Sequence, residues 1–515
     1  MHTYTPFSLN LEKGVFLNKS YLLCWRKQMS YFYMFLSAVI AINTLISAIT
    51  VFSDRNRDIA AIWAWLLVLN IFPVVGLIIY LFLGRKISKE DIYNLREQSK
   101  VGLPKYLEIQ NNIKIDQLEY IDKKDFKDSK NKKYEMAKML MRIEQPPVSL
   151  DNEVEYFVDG HDKFDQLIKD IKNAKHHVHM SYYIFKSDKI GKRVVAALEE
   201  VAKKGVEVRV QYDPVGGRTL KKSLFQQLES YGGQTDTSFG SKFHLLNIRL
   251  NYRNHRKIVV IDGKIGYVGG FNVGDDYLGE YEHMGYWRDT HLRIEGNAVH
   301  QLQERFIIDW NASRKAELIA YEPYYFPVIE SNGDAEIQIV SSGPDSEMQQ
   351  IKTGFLKMIS LAKESIYIQT PYFIPDDALK ETIELAVLSG VTVRLMIPNK
   401  PDHPFIYQAT LSYAEELMNM GGEVYIYDKG FMHAKTIVID DEITSVGTAN
   451  FDIRSFKLNF EVNAFLYSKK TALEQTKYFE EDMKDSYLLT EEIVQAYSLW
   501  DRFKQQLSRL LSPIL

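Results

Sequence analysis

The chain opens on two long apolar runs and continues as short apolar runs at strand and helix spacing. Residues 31–51 and residues 62–83 each run without a single charged side chain. Each is long enough to cross a hydrocarbon core of roughly 30 Å. Only a short polar stretch, SDRNRD, stands between them, so the pattern predicts a two-helix transmembrane hairpin. Trp63 and Trp65 fit an interfacial belt, and Asn70 and Pro73 predict a kink or a helix contact. Lys13, Lys19, Arg26 and Lys27 precede the first run, and Arg85, Lys86 and Lys89 follow the second. The intervening loop has only Arg55 and Arg57. This bias predicts a multi-pass protein of the cell membrane with both ends, and whatever follows, in the cytoplasm. A second run so close behind the first, with no small-residue cleavage site, argues against a cleaved signal peptide.

After the hairpin the pattern changes twice. Residues 85–149 are rich in charge, as in KKDFKDSKNKK, and read as a membrane-proximal linker, partly helical. From residue 150 onward, β-branched apolar runs alternate with helical spacing, and the order occurs twice. AKHHVHMSYYIF, starting at Ala174, resembles AKESIYIQTPYF, starting at Ala362. KGVEVRVQYD, starting at Lys204, resembles SGVTVRLMIP, starting at Ser389, at almost the same offset. A repeat of that size is a domain duplication rather than a solenoid. Strand, helix and strand in each copy predict two α/β domains, residues 150–330 and 331–490. They follow an N-terminal segment 1–30, the hairpin 31–84 and the linker. The tail 491–515 places Trp500, Phe503, Leu507, Leu510, Leu511 and Ile514 at helical spacing, with Arg502, Lys504 and Arg509 off that stripe. It predicts an amphipathic helix, either interfacial or docked on the protein core.

The most specific chemistry lies inside the duplication. NHRKIVVIDGKIGYVGGFN carries His255, Lys257, Asp262 and Asn272; MHAKTIVIDDEITSVGTAN carries His433, Lys435, Asp440 and Asn450. The spacing from His to Lys, Asp and Asn is identical in the two copies. On a strand, His and Lys two apart share a face. Each motif Asp has the opposite parity and lies seven residues on, on the order of 23 Å along an extended chain. Asp262-Gly263 and Asp440-Asp441 read as two-residue hairpin turns, with Ile261 opposite Lys264. The return strand then brings each Asn back beside its histidine. Two histidines and two lysines on matched scaffolds predict one shared pocket suited to a phosphate ester. The lysines, with Asn272 and Asn450, can hold phosphate oxygens. One neutral imidazole can attack phosphorus while the other moves protons.

Beyond the paired motifs, WRDTHLRIEG, QTPYFIPDD and the membrane runs complete a close resemblance to bacterial cardiolipin synthases of the phospholipase D superfamily. The resemblance covers nearly the whole chain. It implies two phospholipase D-like α/β sandwich domains forming one shared active site behind a transmembrane hairpin. It implies that cardiolipin and glycerol are made from two phosphatidylglycerol molecules through a phosphohistidine on His255, with His433 as acid and base. It groups His255, Lys257, Asp262, His433, Lys435 and Asp440 as the catalytic motifs. Parity and spacing instead make Asp262 and Asp440 structural turn residues. The histidines need orienting acceptors. Asp289, downstream of His255, and Glu461, downstream of His433, stand at nearly equivalent points of the repeat. Two departures from the family pattern are Ser181, where many relatives carry Glu, and Asn297, where Pro is usual.

Composition narrows the partners. A net charge of -4 disfavours a nucleic-acid partner, and so a superfamily nuclease. A single cysteine, Cys24, forbids an internal disulfide and fits a reducing compartment. There is no Walker loop, dinucleotide fingerprint or metal-ligand spacing, so no cofactor and no metal is expected. The expected partners are phosphatidylglycerol, cardiolipin and the bilayer. Water or another alcohol as acceptor, giving a hydrolytic phospholipase D or a different transferase, is equally compatible with these side chains, and oligomeric state is not encoded in any motif.

Overall fold

The structure is a computed structural model. It describes residues 11–52, 59–72, 75–76, 79–80, 92–93, 95–122, 131–238, 252–281, 283–313, 317–331, 333–346, 348–510 and 512. By compactness the chain falls into two units, residues 1–86 with 245–251, and residues 87–244 with 252–515.

In the first unit, α1 (Leu11–Phe52) and α2 (Ile59–Ile71) carry the apolar runs. Leu23–Ser47 is long and apolar enough to cross a membrane, while Ile62–Ile71 is a shorter apolar helix. The second predicted span is thus seen only in part. Pro73, residues 81–83, and the flanking Arg55, Arg57, Arg85, Lys86 and Lys89 lie outside the described residues. Asn43 is buried and donates Nδ2 to the carbonyl of Leu69 at 3.0 Å, so a polar side chain bonds the two helices. Asn70 turns back on its own helix, to Leu66.

Among the described residues, the second unit joins both repeats through one 16-stranded sheet. The first repeat supplies the strands β1 (Ser149–Phe157), β2 (His177–Tyr182), β3 (Glu207–Tyr212), β4 (Gln234–Thr237), β5 (Arg253–Asn254), β6 (Ile258–Ile261), β7 (Ile265–Gly269), β8 (Tyr286–Arg288) and β9 (His291–Glu295). The second supplies β10 (Ala335–Ser342), β11 (Ser365–Gln369), β12 (Phe373–Ile374), β13 (Thr392–Pro398), β14 (Glu423–Tyr427), β15 (Gly430–Met432), β16 (Thr436–Ile439), β17 (Ile443–Gly447), β18 (Phe451–Asp452), β19 (Asn459–Leu466) and β20 (Ser486–Leu488). From one edge the order is β4-β3-β2-β6-β7-β9-β1, then β10-β19-β17-β16-β11-β13-β14-β20. β5 joins the sheet off this path, and β8 with β15 and β12 with β18 pair separately. The halves mirror one another about the antiparallel β1–β10 pair, and β20 is an addition.

Strands buried on both faces explain the unbroken apolar runs. Ile258 and Val260 of β6 face a central core shared with Ile337, Val462 and Ala464 of the second repeat. Val259 and Ile261 face the first repeat's own core, under α5 (Gly160–Asn173) and α6 (Lys189–Ala202). Residues 85–149 are more than the linker that their charge predicted. After α3 (Leu103–Asp122), α4 (Lys132–Arg142) buries Met136, Ala137, Leu140 and Met141 in the second repeat's core with Ile351 and Phe355. The high charge of KKYEMAKMLMR conceals an apolar stripe at i, i+4 spacing.

The hairpin turns also differ from expectation. Ile261 pairs with Ile265 and Ile439 with Ile443, so each turn has three residues rather than two. Asp262 and Gly263 take φ of 55° and 67°, and Asp440 and Asp441 take 48° and 54°. The longer turn frees the first Asp to reach the neighbouring strand. Asp262 accepts from the backbone N–H groups of Lys175, His176 and His177 at 2.7–3.0 Å. Asp440 accepts likewise from Lys363, Glu364 and Ser365, and from Lys132 Nζ at 2.6 Å. Both stand at the far end of their strands from the histidines, which corrects their grouping with the catalytic residues.

Removing the Asp440 carboxylate takes the acceptor from three backbone donors, of which only Ser365 N is part-buried, and the ion-pair partner from Lys132; each such bond contributes about 1 kcal/mol. Asp440→Ala is therefore expected to lower the melting temperature by several degrees while turnover per folded molecule stays near wild type. Lost turnover with unchanged melting would place Asp440 in the chemistry after all.

Candidate functional site

Two very short parallel strand pairs build the site. β5 pairs with the start of β19, Arg253 opposite Asn459 and Asn254 opposite Phe460. β15 pairs with β8, Gly430 opposite Tyr286 and Met432 opposite Arg288. The next residue on each line continues the match. His255 N donates to Phe460 O at 2.9 Å, and His433 N donates to Arg288 O at 2.7 Å. In each pair one strand comes from each repeat. The histidine of one repeat is thereby laid beside the carboxylate of the other.

The side chains follow. His255 Nδ1 lies 2.9 Å from both oxygens of Glu461, and His433 Nδ1 lies 2.5 Å from Asp289 Oδ2. Sequence offsets suggested a partner within the same repeat; the structure crosses them. With Nδ1 held, Nε2 is the nitrogen left for chemistry. Both carboxylates are fully buried, whereas the histidine side chains keep 12% and 10% exposure. Only the imidazoles therefore reach the open side.

Lys257 and Lys435 are buried, and each donates Nζ to the backbone carbonyl of the histidine two residues before it. The two motif halves sit in irregular backbone between strands, not on the continuous strand that the apolar pattern predicted. The expected asparagine roles divide. Asn272 lends Oδ1 to Ile184 N at 3.0 Å. Asn450 spends Nδ2 on Asp452 at 2.9 Å, a bond that competes with any phosphate oxygen for that amide. Aromatic rings wall the site: Tyr183 edge-on to His255 at 4.9 Å, and Trp287 beside His433 at 5.0 Å.

Glycine in VGGFN has a steric reason. A Cβ on Gly270 would lie 1.8 Å from Asp289 Oδ1, so only hydrogen fits under that carboxylate. Of the two departures from the family pattern, Ser181 is buried with a long 3.5 Å contact to Gln211, and Asn297 is exposed.

Two ion pairs escaped the sequence reading. Arg256 is buried, forks onto Asp309 at 2.9 and 2.8 Å, and donates Nε to the carbonyl of Glu461 at 3.1 Å. Arg288 pairs with Asp482 at 2.9 and 2.8 Å and donates to the carbonyl of Asp289. Each arginine thus ties the backbone of an orienting carboxylate to a helix, α7 (Val299–Asn311) or α11 (Lys469–Met483). Asp309 and Asp482 stand at nearly equivalent points of the two repeats, which is the signal that would have found them.

Burial sets the protonation states. It drives His255 below its ordinary value, although Glu461 pulls the other way. Burial, with Lys435 adding to it, lowers His433 to about 3. Burial also brings Lys257 down to about 7 and Lys435 to about 8. Burial alone would raise Asp289 and Glu461, but the histidine and lysine beside each outweigh it and hold both below the usual carboxylate range. The site therefore sets neutral imidazoles against ionised carboxylates, with both lysines readily deprotonated. Such a cradle gains charge when an anion enters it.

A bound phosphodiester favours every ammonium and imidazolium, raising those pKa values on binding. The lysines' contribution to affinity should be full below the lower of their values, about 7, and fall as pH rises through about 7 and about 8. Near pH 8, binding of a short-chain phosphodiester should take up protons. Calorimetry in buffers of different ionisation enthalpy checks this, and a binding enthalpy independent of buffer would refute it.

The family model described as "Cardiolipin synthase, PLD-like domain" matches residues 167–310 and 355–483, one segment in each repeat. A second, "Phospholipase_D-nuclease N-terminal", matches residues 39–85. An apolar helix in that region, long enough to cross a bilayer, suits membrane anchoring. The cardiolipin synthase of Listeria welshimeri is 52% identical over 483 residues, 93% of this chain and 98% of its own. The major cardiolipin synthase ClsA of Bacillus subtilis is 49% identical over 488 residues, 95% of this chain and 100% of its own. Among solved structures, phosphatidylserine synthase of Haemophilus influenzae superposes with a TM-score of 0.58 at 16% identity, covering 75% of this chain and 100% of that one; this is a likeness of fold. With about half its residues identical along nearly its whole length, and the family domain on both repeats, the chain belongs to the bacterial cardiolipin synthases, phosphatidyltransferases of the phospholipase D superfamily.

Proposed function

We propose that the protein joins two phosphatidylglycerol molecules into cardiolipin and releases glycerol, through a covalent phosphohistidine. The observation that carries the chemistry is the crossed pair of imidazole–carboxylate contacts above two buried lysines. The substrate assignment draws on the half-identical relatives named as cardiolipin synthases.

The first lipid's phosphate enters between Lys257 and Lys435, which offset its charge. Neutral His255 attacks phosphorus through Nε2, held by Glu461 in the correct tautomer. The bond from phosphorus to the glycerol oxygen breaks. His433, charged by proton uptake as the anion arrives, gives its Nε2 proton to that oxygen, and glycerol leaves. A headgroup hydroxyl of the second lipid then passes its proton to His433 and attacks phosphorus. The phosphorus–nitrogen bond breaks and restores His255. Asp289 stabilises the imidazolium that His433 becomes at each exchange. The same residues would carry out hydrolysis if water took the second lipid's place. The N-terminal hairpin is read as crossing the cell membrane twice, with the catalytic unit in the cytoplasm, on the balance of basic residues in the sequence.

Purified full-length protein in phosphatidylglycerol vesicles should yield cardiolipin and glycerol by mass spectrometry. Phosphatidic acid as the sole product would mean hydrolysis. The crossed partners make a sharper test with a lipid analogue bearing a nitrophenol leaving group, which needs little protonation. Glu461→Gln should slow formation of the phosphatidyl-enzyme. Asp289→Asn should form it readily but release it slowly, each by one or more orders of magnitude. Adduct formation slowed by Asp289→Asn and not by Glu461→Gln would reverse the roles of the histidines.

A further inference from the structure

The C-terminal helix α12 (Leu499–Leu510) is mounted the wrong way round for a soluble protein. An amphipathic helix ordinarily lays its apolar face on the core. Here Gln505 and Ser508 are the buried positions, while Leu499, Trp500, Phe503, Leu507 and Leu510 are 90%, 64%, 53%, 41% and 78% exposed. The polar side is fastened. Arg502 forks onto Glu415 at 2.6 and 2.8 Å, and Arg509 pairs with Glu416. Both glutamates lie on α10 (Pro404–Asn419). Glu416 also takes Lys380 of α9 (Asp377–Leu388) at 2.7 Å, so one carboxylate ties three helices together. The outward stripe is ordered too, with Trp500 stacked on Phe503 at 5.3 Å.

We propose that α12 is a second membrane contact, lying in the lipid interface with Trp500, Phe503, Leu507 and Leu510 among the acyl chains. Two observations select lipid over a second copy of the chain. A helix this short is on the order of 18 Å long. One stripe on it falls well short of the roughly 800 Å² per partner of a standard protein interface. The rim of the stripe also suits the headgroup level: Lys504 borders it, paired with Asp501 at 2.6 Å and 38% exposed, while Arg502 and Arg509 are taken up by Glu415 and Glu416. A helix held so by ion pairs fixes the catalytic unit's tilt at the bilayer. The inference rests on the reading of the protein as an enzyme acting at a bilayer.

The test uses full-length protein with Cys24→Ser, which removes the single cysteine, and Leu507→Cys carrying a nitroxide. Leu507 is exposed, so the label leaves packing intact. In vesicles of phosphatidylglycerol and phosphatidylcholine at low protein density, the label should be oxygen-accessible and shielded from a water-soluble nickel chelate. Its depth should be about 5–10 Å below the headgroups. Adding Phe503→Glu and Leu510→Glu should return it to water. A nickel-accessible label in the parent protein overturns the proposal, as does spin–spin broadening showing that a second copy covers the face. The readout needs no turnover, so failure here is distinct from failure to make cardiolipin.

Discussion

Everything at the centre of this molecule depends on one exchange: each repeat orients the other's histidine. The β5–β19 and β15–β8 pairs are very short, and each would be negligible as a ladder. Their consequence is positional. They set Glu461 opposite His255 and Asp289 opposite His433 by simple continuation of register. Neither motif histidine finds its carboxylate within its own repeat. The central core also draws strands from both halves, so the site and the fold close together.

That dependence also explains why so much charge can be buried. An isolated buried carboxylate or ammonium is costly, and the answer is dense mutual pairing. Two lysines, two carboxylates and two imidazoles are close enough that Lys435 lowers His255 and Lys257 lowers His433. Arg256–Asp309 and Arg288–Asp482 surround this cluster and grip the carbonyls of Glu461 and Asp289. The backbone carrying each carboxylate is therefore fixed by a buried ion pair to a helix. Side chains beside such short strands acquire the rigidity that acid–base chemistry demands.

Much of this was legible in the sequence, and the boundary of legibility is physical. The duplication, the paired His-x-Lys motifs and the turn role of Asp262 and Asp440 follow from spacing and strand parity, which are local properties. Asp289 and Glu461 could be picked out by their offset, but not their crossing. Which carboxylate meets which histidine is decided by contacts between distant parts of the chain, and no periodicity reports on those. The turns are one residue longer than Asp262-Gly263 and Asp440-Asp441 predict, because the first Asp side chain caps the backbone entering β2 or β11. The helix at 132–142 is hard to read from sequence because its high charge masks the Met136/Leu140 stripe.

The two halves are not chemically equal, and the inequality lies behind the histidines rather than at them. Asp289, the shorter carboxylate, rests directly on Gly270, where even a methyl group would collide. Glu461, the longer one, meets Thr448 at the matching position, whose hydroxyl also accepts from Val462 N at 2.9 Å. Next but one after Asp289 stands His291, buried with neither ring nitrogen bonded. Next but one after Glu461 stands Asn463, whose Oδ1 accepts from Thr448 and Ala449. Fully buried Lys163, bonded to Tyr182 at 2.8 Å, lies on the Asp289 side, where burial drives its ammonium well below the ordinary value although Asp289 pulls the other way. A duplicated scaffold begins with identical roles for its histidines. The proposed sequence, with one as nucleophile and one as proton carrier, requires that they differ. In this chain the difference is written in the residues that hold the carboxylates, while the two His-x-Lys motifs themselves stay alike.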